Sequence, residues 1–202
     1  MIISGIPVNP LDTSNWVGVI GPRKATHKEI VAAQKLVDRL VLKGYVVVSG
    51  LANGIDKAAH QMCLDLKGLT VAIVSTPVEE RIYPKENHQL ANQIRDRGTI
   101  IHPFTTPTRE NRSEQPSHFQ KRLLERNVLL AHLCPTIVAV TDQETIVGGT
   151  RYAVKYGYEF GKKIYRLDSN GKWYTDPPFE DCNIDWNMEI DLLNTRVARI
   201  TM

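Results

Sequence analysis

Three short glycine-bearing stretches carry the residue types that hold phosphate. Gly21-Pro22-Arg23-Lys24 sets two cations directly after a glycine. Ser49-Gly50-Leu51-Ala52-Asn53-Gly54-Ile55-Asp56 combines two glycines with small side chains, and Lys57 follows. Thr141-Asp142 leads to Gly148-Gly149-Thr150. Glycine lets an oxygen approach the backbone, free amides and hydroxyls donate to it, and cations balance its charge. The candidate phosphate ligands are therefore Gly21, Arg23, Lys24, Ser49, Gly50, Asn53, Gly54, Lys57, Gly148, Gly149 and Thr150. Arg126-Asn127 joins them, because this polar pair interrupts the apolar stretch from Leu123-Leu124 to Val128–Leu130. Asp56 falls in the first turn of a helix, where a carboxylate steadies the dipole and accepts loop amides; its expected role is structural. His60, one turn later, is expected to brace the same loop. The spacing is neither GxGxxG nor GxxxxGK[ST], so neither a dinucleotide fingerprint nor a Walker loop is supported. The six histidines and three cysteines show no metal-ligand spacing, and no metal or cofactor is expected.

These loops need elements to hold them. The apolar run Val17–Ile20 reads as a strand. Thr26-His27-Lys28-Glu29 is a capping box, and Ile30, Ala33, Val37, Leu40 and Val41 follow on one helical face. Gly44 stops that helix. Tyr45–Val48 is a β-branched strand of the kind buried on both faces. Helix 56–66, strand 70–74, a helix beginning at Pro84 and ending at Arg97, and strand 99–101 continue the alternation. A second capping box at Ser117-His118-Phe119-Gln120 opens a helix to Leu133. Strand 136–140, helix 150–160 and strand 163–167 complete it. Such alternation predicts an α/β fold: a doubly wound, mostly parallel sheet with helices on both faces, Rossmann-like. Each Gly-bearing loop then lies at the carboxyl end of a strand, where ligands bind in open α/β sheets.

Two stretches stand outside this pattern. Residues 103–116 read as a surface loop rich in Pro, Thr and charge. Residues 168–191 hold seven acidic residues against one lysine, before a strand-like Arg196–Ile200. The expected division is a domain over 1–167 with an acidic C-terminal extension, 168–202, packed upon it.

At 202 residues the chain has room for one core. It has no apolar run near the roughly 20 residues of a membrane span, and MIISGIPVNP lacks the features of a signal peptide. Cys63, Cys134 and Cys182 are too few and too scattered for a disulfide framework, so a reducing cytoplasm is expected. The net charge of +3 leaves nucleic-acid binding to the distribution of the cations.

Taken in order, the loops resemble the DNA-processing protein A (DprA, also called Smf) family of recombination mediators. That family's pattern is Gly-Ser-Arg, then Ser-Gly-x-Ala-x-Gly-Ile-Asp-x-x-Ala-His, Tyr-Pro-x-x-Asn, Arg-Asn and a Gly-rich turn. Here it reads Gly21-Pro22-Arg23, then Ser49 to His60, Tyr83-Pro84-Lys85-Glu86-Asn87, Arg126-Asn127 and Gly148-Gly149-Thr150. The likeness spans about residues 15–167. Pro22 stands where serine is usual, Asn53 where arginine is common, and Val128 where a second arginine often follows. His102-Pro103-Phe104 replaces a Ser-Glu-x-Pro turn. At this length the accessory helical and winged-helix domains of many members have no room, so the resemblance implies the Rossmann-like core alone.

The resemblance implies a non-enzymatic binder of single-stranded DNA, with a recombinase as a further partner; a homodimer is expected. The alternative is a nucleotide-binding sensor or nucleotide-processing protein of the wider lysine-decarboxylase-like superfamily. Relatives there use Pro-Gly-Gly-x-Gly-Thr-x-x-Glu, and here Ala153 occupies the glutamate position, which argues against glycosidic hydrolysis. A purely structural module would leave three glycine loops unused.

Overall fold

The computed structural model describes residues 1–104 and 116–182, with the backbone alone of 116–118. Its elements run β1 (Ile2–Gly5), β2 (Trp16–Ile20), α1 (His27–Leu42), β3 (Val46–Ser49), α2 (Ile55–Asp65), β4 (Thr70–Ile73) and α3 (His88–Arg97). There follow β5 (Thr99–His102), α4 (Pro116–Leu133), β6 (Thr136–Val140), α5 (Thr150–Glu159), β7 (Lys163–Leu167) and β8 (Trp173–Thr175).

The eight strands of the described residues form one sheet in the order β1-β5-β4-β3-β2-β6-β7-β8. The six central strands are parallel, while β1 and β8 pair antiparallel at opposite edges. The chain winds outward from β2 through β3, β4 and β5, then returns to place β6 on the other side of β2. That reversal leaves a crevice beyond the carboxyl ends of β2 and β6, the switch point at which open α/β sheets bind ligands.

Alternate residues of β2 face opposite helical layers. Val17 and Val19 pack with Ala33, Val37 and Ala59 of α1 and α2. Trp16 and Ile20 pack with Leu130, Cys134 and Tyr156, toward α4 and α5. A third cluster sets Leu90 and Ile94 of α3 against Ala72 and Ile100. With helices on both faces the central strands are mainly apolar, as a buried parallel sheet requires.

The differences from the sequence expectations lie mostly at the edges. β1, whose two ends are exposed, has no expected counterpart; its register from Ile2↔His102 to Gly5↔Thr99 exists only because β5 offers an edge. Pro84 does not open α3. It follows a cis peptide bond and precedes a one-turn 3₁₀ helix at Lys85–Asn87, from which α3 starts at His88. Phe104, placed in the surface loop, is buried. Residues 105–115, the Ser117 capping box side chains and strand-like Arg196–Ile200 lie outside the described residues. Trp173–Thr175 extends the sheet by pairing with β7, so at least this part of the extension continues the same layer.

Candidate nucleic-acid interface

The switch-point crevice opens into a cleft of about 650 Å³. Gly21 to Lys24, Ala52 and Asp56, Arg126 and Asn127, and Gly148 to Thr150 all line it. Three separated loops and one helix thus converge because β2, β3 and β6 end on the same side of the sheet.

Local chemistry holds each wall. Thr26 caps α1: Glu29 N–H donates to Thr26 Oγ1 at 3.2 Å, and Thr26 N–H donates to Glu29 Oε2 at 2.7 Å. Glu29 is buried, and its Oε1 also accepts the Asp142 amide at 2.9 Å. The cap of α1 is therefore tied to the end of β6, which keeps the β2 and β6 loops together. Gly54 locks the β2 and β3 loops: it stands at φ +78°, and a Cβ there would overlap the Pro22 carbonyl oxygen and lie 2.7 Å from that of Arg23. Only glycine adopts that conformation at such close approach.

Asp56 gathers the β3 loop. Its Oδ2 accepts the Gly50 and Ala52 amides, each at 3.2 Å, and lies 3.6 Å from Arg126 Nη1. Arg126 is only 5% exposed, and its guanidinium occupies the space a side chain at Gly50 would fill. Burial raises the Asp56 pKa, against the opposing pull of Arg126 and the loop amides. Burial likewise lowers that of Arg126; Asp56 opposes the change, and the nearby positive charge of Arg23 adds to it. Asn127 Nδ2 donates to the Gly149 carbonyl at 2.9 Å, linking α4 to the last loop. Gly149 forms the N-cap of α5 with no side-chain hydrogen bond to the first turn, so helix amides stand where Gly149 and Thr150 face the cleft.

The remaining candidates lie elsewhere. Ser49 is fully buried and donates its hydroxyl to the Val19 carbonyl at 2.7 Å. Gly50 sits behind Arg126, while Asn53, Gly54 and exposed Lys57 stand outside the cleft lining. His60 Nδ1 meets Thr70 Oγ1 at 2.7 Å, joining α2 to β4. Burial pushes its pKa down to about 3, and Arg126 acts in the same direction.

Sequence reasoning missed the apolar floor: Leu123, Leu124, Ile146, Val147 and Tyr152. The signal available was Ile146-Val147 directly before Gly148, an apolar pair with no strand to join. The fold supplies its partner, since Ile146 pairs with Phe179 in an isolated bridge and its amide donates to the Pro178 carbonyl at 2.9 Å. Among the described residues, no cluster of His, Cys, Asp or Glu could hold a metal ion, and no helix is long and apolar enough to cross a membrane.

A doubly wound sheet with glycine loops at its switch point defines a Rossmann-like α/β protein. The chain belongs to the DNA recombination-mediator protein A family, whose family model matches residues 7–183. It is 30% identical over 154 residues to Protein Smf of Synechocystis sp., covering 76% of this chain and 36% of that protein. It is 27% identical over 157 residues to the DNA processing protein DprA of Bacillus subtilis, covering 78% and 49%. The chain thus spans half or less of the length of these curated relatives. Among solved structures, DNA processing protein A from Helicobacter pylori, described for its single-stranded DNA binding mode, superposes with a TM-score of 0.65 at 20% identity. That match covers 98% of this chain and 86% of the other. DprA from Streptococcus pneumoniae gives 0.62 at 22%, covering 98% and 60%. The Rossmann-like α/β fold follows from these superpositions.

Proposed function

We propose that this chain binds single-stranded DNA at the switch-point cleft without catalysing a reaction on it, as part of a recombination mediator. The observation that carries the reading is the uneven pairing of two neighbouring guanidiniums. Arg126 is buried and matched by Asp56, whereas Arg23 is exposed at the cleft mouth and disfavours the charge of Arg126. A phosphate between Arg23, Lys24 and the open end of α5 relieves that repulsion and gains helix-terminus amides. Family membership and the neighbour described as binding single-stranded DNA support the same ligand. A recombinase partner and a homodimer accompany this reading; light scattering on the purified chain tests the dimer.

Arg23→Ala tests the site. The variant should keep its melting temperature, because no core contact is lost. Its affinity for labelled oligo-dT should fall, and its log–log salt slope should flatten by about 0.7, the value of one phosphate contact on a single strand. Arg23→Lys should rescue only part, since lysine replaces a planar fork with a point charge. Unchanged affinity in a folded Arg23→Ala protein would remove the site from this place.

One observation favours a second reading, a nucleotide binder: the cleft volume of about 650 Å³ and its apolar floor lie within the range of small-ligand pockets. Hydrolysis fits poorly. Asp56 is the one carboxylate among the described lining residues, and it is held by Arg126 and two amides; Ala153 supplies no acid. Mononucleotides competing with oligo-dT at equal concentration would favour this second reading.

A further inference from the structure

Outside the cleft, the outer face of α1 carries cations that the proposed function does not use. Lys28, Lys35 and Arg39 are exposed, and spacings of seven and four residues put them on one side of the helix. Along the axis they extend over about 16 Å. Among the described residues, none of the three has a carboxylate within ion-pair distance.

Lys35 and Arg39 form one side of a groove of about 120 Å³ whose other side is the β7–β8 turn and Trp173. Trp173 is 43% exposed, although it packs in a T-shaped pair with Tyr165, ring centroids 6.1 Å apart. A large aromatic held in place beside unmatched cations is the arrangement single strands use, with bases stacking on the ring and phosphates meeting the charges. The acids of this turn are engaged by backbone amides and form no ion pair with these cations. Asp168 accepts the Asn170 and Lys172 amides at 2.9 Å each, and Asp142 accepts the Ser169 amide at 2.7 Å. The half-buried Asp38 lies a quarter turn away from the basic face.

The groove also adjoins the cleft. Thr141 and Gln143 line the cleft, while Asp142 between them holds Ser169, which lines the groove. At 120 Å³ the groove is too small for a small-molecule pocket, which favours a polymer passing over it.

We infer that the α1 groove carries single-stranded DNA onward from the cleft mouth, with phosphates on Lys28, Lys35 and Arg39 and a base against Trp173. This rests on the cleft being the first contact. A strand long enough to cover both sites gains affinity from the groove, whereas a strand confined to the cleft does not.

The test is fluorescence anisotropy across a salt series with labelled oligo-dT of about 4 and about 16 nucleotides. Circular dichroism establishes that each variant is folded. In Lys35→Gln/Arg39→Gln the salt slope for the longer strand should flatten by about 1.4, at about 0.7 for each lost phosphate contact. Trp173→Ala should weaken the longer strand about fivefold or more, and Trp173→Phe should restore most of that. Neither set of variants should alter the shorter strand, whereas Arg23→Ala weakens both. If the groove variants bind the longer strand as wild type while Arg23→Ala weakens it, the groove is overturned and the cleft stands. If the groove variants lose the longer strand while Arg23→Ala loses nothing, the groove binds DNA on its own, and both the cleft reading and the onward path fall. Equal losses on both lengths would also overturn the onward path.

Discussion

Asp56 combines three physical roles in one carboxylate. It accepts two loop amides, sits at the start of α2, and faces the buried Arg126 at 3.6 Å. The capping contacts alone are worth about 0.5–2 kcal/mol. Removing the acid also leaves a guanidinium buried without its partner, which raises the cost to about 3–5 kcal/mol. Asp56→Ala should therefore shift the urea midpoint strongly. Asp56→Ala/Arg126→Met should be more stable than Asp56→Ala alone, because the second change removes the stranded charge. A double variant as unstable as the sum of the two single variants would show that the two residues are not coupled.

The loops, at the scale of elements, are held by backbone contact as much as by side chains. Gly54 and Gly148 both have positive φ, +78° and +63°, but their surroundings differ. A Cβ at Gly54 would strike the Pro22 carbonyl, whereas nothing lies within 4 Å of one at Gly148. Gly148→Ala should cost only its backbone conformation, about 1–2 kcal/mol. Gly54→Ala should cost more, because the β2 and β3 loops must also separate, and that movement displaces Arg23. Thermal melts and oligo-dT binding of the two variants check this: stability and affinity should fall together for Gly54→Ala. Equal melting temperatures would mean that the loop contact contributes nothing.

Stability of the whole molecule should depend on pH through its buried histidines. His60 has a pKa of about 3 when folded, and burial also lowers those of His102 and His132. The unfolded chain takes up protons near the ordinary value of 6.5, so it binds more of them than the folded chain between pH 6.5 and 3. Stability is then lost as pH falls through that window, by up to about 1.4 kcal/mol per pH unit from His60, with His102 and His132 acting in the same direction. Asp56 acts in the opposite sense: its raised pKa lets the folded form take up its proton first, which offsets part of the loss near pH 3.8 and above. Urea midpoints measured from pH 7 down to pH 4 should fall, and His60→Gln should flatten the slope by up to one proton. An identical slope in the variant would mean that His60 takes up its proton at the same pH in the folded protein as in the unfolded chain.

Periodicity and loop composition by themselves determined the central architecture. Continuous β-branched runs such as Val46–Val48 can be satisfied only by burial on both faces, and a capped amphipathic helix such as α1 must lie on a sheet. That Gly21-Pro22-Arg23 and Gly148-Gly149-Thr150 line one cleft was legible because strand ends in a parallel sheet share a side. Partnership was not legible, since it depends on residues far apart in the chain. Nothing local to Arg126 says that Asp56 will neutralise it, or that Gly50 will leave room for it. Nothing local to Ile146 says that Phe179 will pin it, nor does Glu29 announce that it will hold the Asp142 amide. Strand β1 illustrates the same limit, since its sheet partner among the described residues, β5, comes more than ninety residues later in the chain. Local sequence chose the elements because helix periodicity and strand burial are set by near neighbours. Their assembly chose which charges are buried, paired or left at the mouth, because solvation and Coulomb energy depend on distance in space.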